Sequence, residues 1–135
     1  MDYSPPMTRD SQKFINHLVK LSFILNMTVR LYHWNTTSFA RHKAADEFVS
    51  GLSEVTDKLV EVFIGIYKIK PDINNITLEP LNKEYLTDDG IVNLLATSKK
   101  LLITESVNIT DTQLLNIHDE LIALIDQTLY LFELK

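Results

Sequence analysis

Four ionisable residues between positions 42 and 61 form two pairs of equal spacing, His42 with Asp46 and Asp57 with Glu61. A separation of four places two side chains on adjacent turns of one helix face. At about 100° per residue the four fall at about 0°, 40°, 60° and 100°, a single stripe. An imidazole together with carboxylates is a reasonable donor set for Fe(II), Mn(II) or Zn(II). One helix cannot bring all four to one ion, because the pair centres lie roughly 22 Å apart along its axis. Two copies packed antiparallel about a two-fold axis remove the difficulty. The His42/Asp46 pair of one subunit then faces the Asp57/Glu61 pair of the other, and two equivalent sites form. The symmetry point is expected at Gly51 and Leu52, with Gly51 letting two backbones come close. The spacing therefore predicts a dimer with intersubunit metal sites.

His33 extends this set. It ends the preceding helical pattern, and a short polar turn, Asn35 to Ser38, separates it from the next. The two helices make a hairpin, so His33 is expected near His42. Neutral imidazoles and ionised carboxylates leave coordination positions open for water, oxygen or peroxide, which suits redox chemistry better than a closed structural zinc site. Glu47 and Glu54 lie near the stripe and read as solvated, with Glu54 a candidate to hold a ligand by hydrogen bonding. His17 and His118 match no pattern and read as surface or packing residues.

The elements that must position these residues follow from the hydrophobic period. Phe14, Leu18, Leu21, Leu25, Val29 and Tyr32 recur at three and four, predicting a helix capped by Thr8 or Asp10 and running to about Trp34. A second helix is expected from Phe39 or Ala40 to about Ile69, with Phe48, Leu52, Val55, Leu59, Val62, Phe63 and Ile66 inward and Pro71 ending it. Residues 71–86, with Pro71 and Pro80, read as a long connection that hides a turn of helix. A third helix is capped by Asp88 or Asp89 and runs to about Ile103, with Ile91, Leu94, Leu95, Leu101 and Leu102 inward. A fourth starts at Asp111 and carries Leu114, Leu115, Leu121, Ile122, Ile125, Leu129 and Phe132. The expected fold is all-α: one antiparallel four-helix bundle domain over residues 1–135, of the ferritin-like kind, with residues 1–9 a flexible tail and a long crossover between the second and third helices.

Composition sets limits. Cysteine is absent, which removes disulfides, thiolate metal sites and a thiol nucleophile. A formal net charge of −5 argues against DNA as a partner, since non-specific binding needs a positive surface. No segment reads as an export signal or a membrane span, so a cytoplasmic, intracellular location is expected. The N-x-[ST] matches at Asn26, Asn35, Asn75 and Asn108 then read as chance.

His33-Trp34-Asn35, followed by His42-x-x-x-Asp46 and Asp57-x-x-x-Glu61, resembles the ferroxidase signature of the Dps miniferritins over about residues 14–65. By that resemblance all five ligand positions, His33, His42, Asp46, Asp57 and Glu61, carry the expected residue types. The resemblance implies a ferroxidase that oxidises Fe(II) with oxygen or peroxide at an intersubunit site. It also implies iron storage in a hollow twelve-subunit shell, and Trp34 as an electron donor. Zinc or manganese could occupy the same ligands. The Lys-rich tail by which some members bind DNA is missing. The competing expectation is a non-enzymatic structural or interaction protein, a helical bundle that retains a relic of the metal site.

Overall fold

The apolar period resolves into four long helices. The computed structural model describes residues 9–134. In it α1 spans Arg9–Asn35, α2 Phe39–Tyr67, α3 Asp88–Glu105 and α4 Thr112–Glu133, and short 3-10 turns occupy Ile73–Asn75 and Lys83–Leu86. No strand occurs among the described residues. The expected cap Thr8 and most of the expected tail lie outside them, and Arg9 already belongs to α1. None of these helices is long and apolar enough to cross a membrane.

α1 packs along α2, α2 along α4, α4 along α3 and α3 along α1, closing a four-helix bundle. α1–α2 and α3–α4 are hairpins. The segment between α2 and α3 returns along the whole bundle, so α3 starts at the end where α2 starts. Polar side chains of α1 hold this crossover in sequence order. Gln12 donates to the Lys70 carbonyl at 2.9 Å, Asn16 accepts from the Asp72 N–H at 2.8 Å, Lys20 pairs with Glu79 at 3.3 Å, and Asn35 donates to the Leu86 carbonyl at 3.3 Å. The bonds from Gln12, Asn16 and Asn35 satisfy backbone groups that a non-helical segment would otherwise leave to water.

The core is a continuous column of fully buried side chains, among them Ile15, Leu25, Tyr32, Phe48, Leu52, Leu59, Phe63, Ile91, Leu95, Leu114 and Ile125. Leu101, expected inward, is 45% exposed. The buried face of α3 instead runs Ile91, Leu94, Leu95, Ser98, Leu102, so a serine holds a position that an apolar count passes over. His118 is a core residue, 2% exposed, tilted against the Phe14 ring at 6.1 Å. His17 is partly buried against Glu105 at 2.8 Å.

Helix ends differ from expectation for identifiable reasons. α2 stops at Tyr67, two residues early, because Lys68 adopts a left-handed conformation (φ 59°) and its N–H returns to the Ile64 carbonyl. The cap of α3 is Thr87, whose hydroxyl accepts from the Gly90 N–H at 2.9 Å. The Asp88 carboxylate, freed from capping, accepts instead from the Tyr32 hydroxyl at 2.6 Å. Asp111 precedes α4 but makes no side-chain cap; its carboxylate accepts from Tyr67 at 2.5 Å. Burial, and then this carboxylate, push the Tyr67 phenol up to about 12.

Arg41 joins all four helices at one end. From α2, its Nη1 donates to the Tyr32 oxygen of α1 at 3.0 Å and to the Asp88 carbonyl of α3 at 3.1 Å. Its Nε donates to the Phe132 carbonyl of α4 at 3.1 Å, and the guanidinium lies 5.0 Å over the Phe132 ring. A cation on the last carbonyls of α4 also complements the negative end of that helix. Burial, and then the bond to Asp88, raise the pKa of Tyr32, so the phenol stays protonated and keeps donating.

Two outcomes test this packing. A Cβ at Gly90 would overlap the Glu84 carbonyl oxygen and crowd the Thr87 hydroxyl that caps α3. Gly90→Ala should therefore lower stability by about 2 kcal/mol in urea unfolding, a typical cost of overpacking against backbone. Burial also lowers the pKa of His118 from its ordinary 6.5, against the opposing pull of Asp119 and of the bond to the Leu102 carbonyl. The unfolded chain then binds the proton more readily than the folded one, so stability is lost as pH falls below 6.5. His118→Gln, which keeps a donor for Leu102, should flatten the urea midpoint against pH across that range; an equally steep loss in the variant would place the acid sensitivity elsewhere.

Candidate metal centre

The short turn between α1 and α2 fixes the two helices against each other. The Thr36 N–H closes α1 onto the Tyr32 carbonyl at 2.9 Å, the Thr36 hydroxyl accepts from Ser38 N–H at 3.1 Å, and the Ser38 hydroxyl caps α2 by accepting from Arg41 N–H at 3.2 Å. A turn this tight leaves one register, with His33 opposite His42. Their rings stack in parallel, centroids 3.8 Å apart and planes 14° apart. His33 Nδ1 lies 2.6 Å from the His42 carbonyl oxygen, and His42 Nδ1 lies 2.6 Å from the His33 carbonyl oxygen. A carbonyl only accepts, so in both rings Nδ1 carries the proton. In the neutral pair both Nε2 atoms are then lone pairs. Protein ligands to metals are commonly oriented this way, with the far ring N–H held by a backbone carbonyl.

The same register brings Arg30 opposite Asp46, and they pair at 2.9 Å. Donor types and spacing alone do not single out Arg30. The hairpin register does, because once His33 faces His42 the residue three back on α1 falls near the residue four on along α2. The pair is largely solvated, with side chains 32% and 53% exposed, and such pairs are worth about 0–1 kcal/mol. It does not fix Asp46 against a competing cation.

Asp57 and Glu61 are exposed on α2, toward the opposite end of the bundle. Asp57 lines a groove of about 530 Å³ between α1, α2 and the start of the crossover, whose walls include Phe23, Val60, Pro71, Ile73 and Ile76. Within one chain, no three His, Asp or Glu side chains converge among the described residues. The structure thus joins His33 and His42, sets Asp46 one turn away against Arg30, and leaves Asp57 and Glu61 apart. Glu54 is exposed. Trp34 is 68% exposed, its ring centroid 6.5 Å from that of His33.

The expected symmetry point needs correction. A Cβ on Gly51 would lie 3.1 Å from both terminal methyls of Leu124, so this glycine makes room for α4 of its own chain. Leu52 is fully buried. The exposed stripe passes its midpoint at Ser50 and Ser53, at about 80° and 20° on the same angular scale. Small hydroxyls, not Gly51, are what a second copy would meet there.

Residues 33–132 match the model of a family of unknown function, DUF5856. The chain belongs to this family. No curated protein and no solved structure matches it. This overturns the resemblance to the Dps miniferritins. That resemblance rested on five side chains of one helical hairpin, and pairs at i, i+4 can be set on any exposed helix face. They speak to donor chemistry, not to kinship.

The hydrogen-bond pattern makes a direct prediction for this member of the family. In their neutral form, His33 and His42 should both appear protonated at Nδ1 in nitrogen-15 spectra, whereas free imidazole side chains favour Nε2. An Nε2–H form at either residue would remove the reciprocal arrangement.

Proposed function

We propose that the outer face of the α1–α2 hairpin binds Fe(II) between two copies of the chain and supports its oxidation. The observation that carries the reading is the reciprocal histidine pair. Each imidazole is locked by the other residue's carbonyl, and each is left with a lone pair at Nε2. Asp46 lies one turn along the same stripe, within reach once Arg30 yields it. Asp57 and Glu61 of a second copy would complete a set of two nitrogens and three carboxylates, suited to Fe(II) and open to an oxidant. In that role Fe(II) is the substrate. Two Fe(II) ions each give up one electron, and one peroxide takes both with two protons to form two waters. The dimer is the smallest assembly that completes the site, and the role places the protein inside the cell, where reduced iron is available.

Two observations favour a second reading. The Arg30–Asp46 pair and the exposed aromatic residues also describe a protein interaction surface in which the ligands are relics.

Stopped-flow absorbance of the ferric product distinguishes the two. Asp57→Ala combined with Glu61→Ala should reduce Fe(II) oxidation to the rate without protein, and so should His42→Ala. Mixing the two inactive variants should restore about one quarter of the activity, because half of the dimers are mixed and each carries one intact site. Oxidation that persists in both variants would sink the site; inactivity of the mixture would sink its sharing between subunits.

A further inference from the structure

The α1–α2 face has two unlike ends. At the end that holds His33 and His42, two aromatic side chains stand in water: Trp34 is 68% exposed and Phe39 is 78% exposed. On α1, Trp34 follows Phe23, Met27 and Arg30 at spacings of four, three and four, so the exposed residues form one stripe. On α2, Phe39 precedes His42 by three and continues the stripe of Asp46, Ser50, Ser53 and Asp57. At the other end lies the apolar groove of about 530 Å³, open at Phe23 (49% exposed) and Ile73 (82% exposed) and bordered by Asp57. The metal donors follow the same polarity: the two histidines lie at the aromatic end beside Asp46, which is paired to Arg30, and Asp57 and Glu61 lie at the groove end.

A surface with aromatic projections and imidazole donors at one end, and an apolar groove and carboxylate donors at the other, is complementary to itself turned end for end. That is the requirement of a two-fold interface, in which the same patch serves both partners. From this we infer that the groove is the seat of Trp34 from a second copy of the chain, with Phe39 covering its rim. The inference rests on the two-fold reading above. It adds which residues hold the copies together. Trp34 adjoins His33, and Asp57 lines the groove. The rotation that sets the histidines against the partner's Asp57 and Glu61 therefore carries Trp34 to the partner's groove without a separate adjustment. Small side chains at the midpoint, Ser50 and Ser53, let the faces approach. A buried indole is the residue type that most often dominates an interface, and it would exclude water beside the carboxylates that Fe(II) needs.

Trp34 is the only tryptophan, so its fluorescence reads the contact directly. Emission of the full chain should shift to the blue as concentration rises through the dimer transition measured by sedimentation. Trp34→Ala and, independently, Ile73→Asp should each raise the dimer dissociation constant by at least about tenfold, equivalent to about 1.4 kcal/mol. Both positions are exposed in the single chain, so the circular dichroism and thermal midpoint of the dilute monomer should stay unchanged and exclude a folding defect. If the wild type sediments as a dimer while Trp34 emission stays that of a solvated indole, or if Trp34→Ala changes dissociation by less than about twofold, the docking is wrong and the two-fold reading survives. If the wild type is monomeric at every concentration with and without Fe(II), the two-fold reading fails and the docking with it.

Discussion

Everything at the histidine end depends on one register, the pairing of residues 32 and 33 of α1 with residues 41 and 42 of α2. The inner members, Tyr32 and Arg41, hydrogen-bond to each other and tie in Asp88 and Phe132, so the ends of all four helices meet at a single guanidinium. The neighbouring members, His33, itself buried at 8% exposure, and the half-buried His42, exchange bonds with each other's backbone. Structure and chemistry are therefore separated by one residue on each helix. A helix advances about 100° per residue, so neighbours in sequence point in different directions, and the clamp at Arg41 sets the register of the histidine pair beside it. A slip of one residue would break both sets of bonds at once.

The same logic explains why the crossover is long and still ordered. Returning α3 to the clamp requires a segment that runs the length of the bundle, and such a segment cannot satisfy its own backbone. α1 supplies the partners in order, from Gln12 through Asn16 and Lys20 to Asn35, while 3-10 turns with Asp72 and Asn82 at their starts use local side-chain caps. The polar face of α1 is thus divided lengthwise. One stripe is committed to the crossover, and the adjacent stripe of Phe23, Met27, Arg30 and Trp34 stays open to solvent.

What could be read in the sequence was what depends on period and length. The four helices came within about two residues of their observed ends, and the juxtaposition of His33 and His42 followed from the short turn between their helices. What could not be read depended on which neighbour a side chain meets. Lys68 ends α2 through a left-handed residue that no sequence rule demands of lysine. Thr87 and Asp88 are both good caps, and the choice between them is made by Tyr32, which lies 56 residues from Asp88 and claims its carboxylate. Gly51 sits at the arithmetic centre of the stripe but faces Leu124, because symmetry inferred from one helix knows nothing of the helix behind it. The resemblance to the miniferritins misleads for a related reason: ligand types at helical spacing constrain what a surface can bind, and only the whole chain constrains what it descends from.

In the proposed dimer the metal and the interface are thermodynamically one system. Each subunit alone offers two imidazoles and a carboxylate already paired to Arg30, or two solvated carboxylates, and neither half encloses an ion. Under that proposal Fe(II) would bind the dimer far better than the monomer, and by linkage it would tighten the dimer by the same factor. The apolar contacts set the converse. A groove filled by an indole lowers the local dielectric beside Asp57, which strengthens the attraction of its carboxylate for a cation and weakens the water that would compete. A dimer held by the aromatic residues alone can be marginal, and still form when reduced iron is present. In the proposed dimer the aromatic side chains supply contact without charge, the carboxylates supply charge and the imidazoles lone pairs without much contact, and each is incomplete until the other end of a second copy arrives.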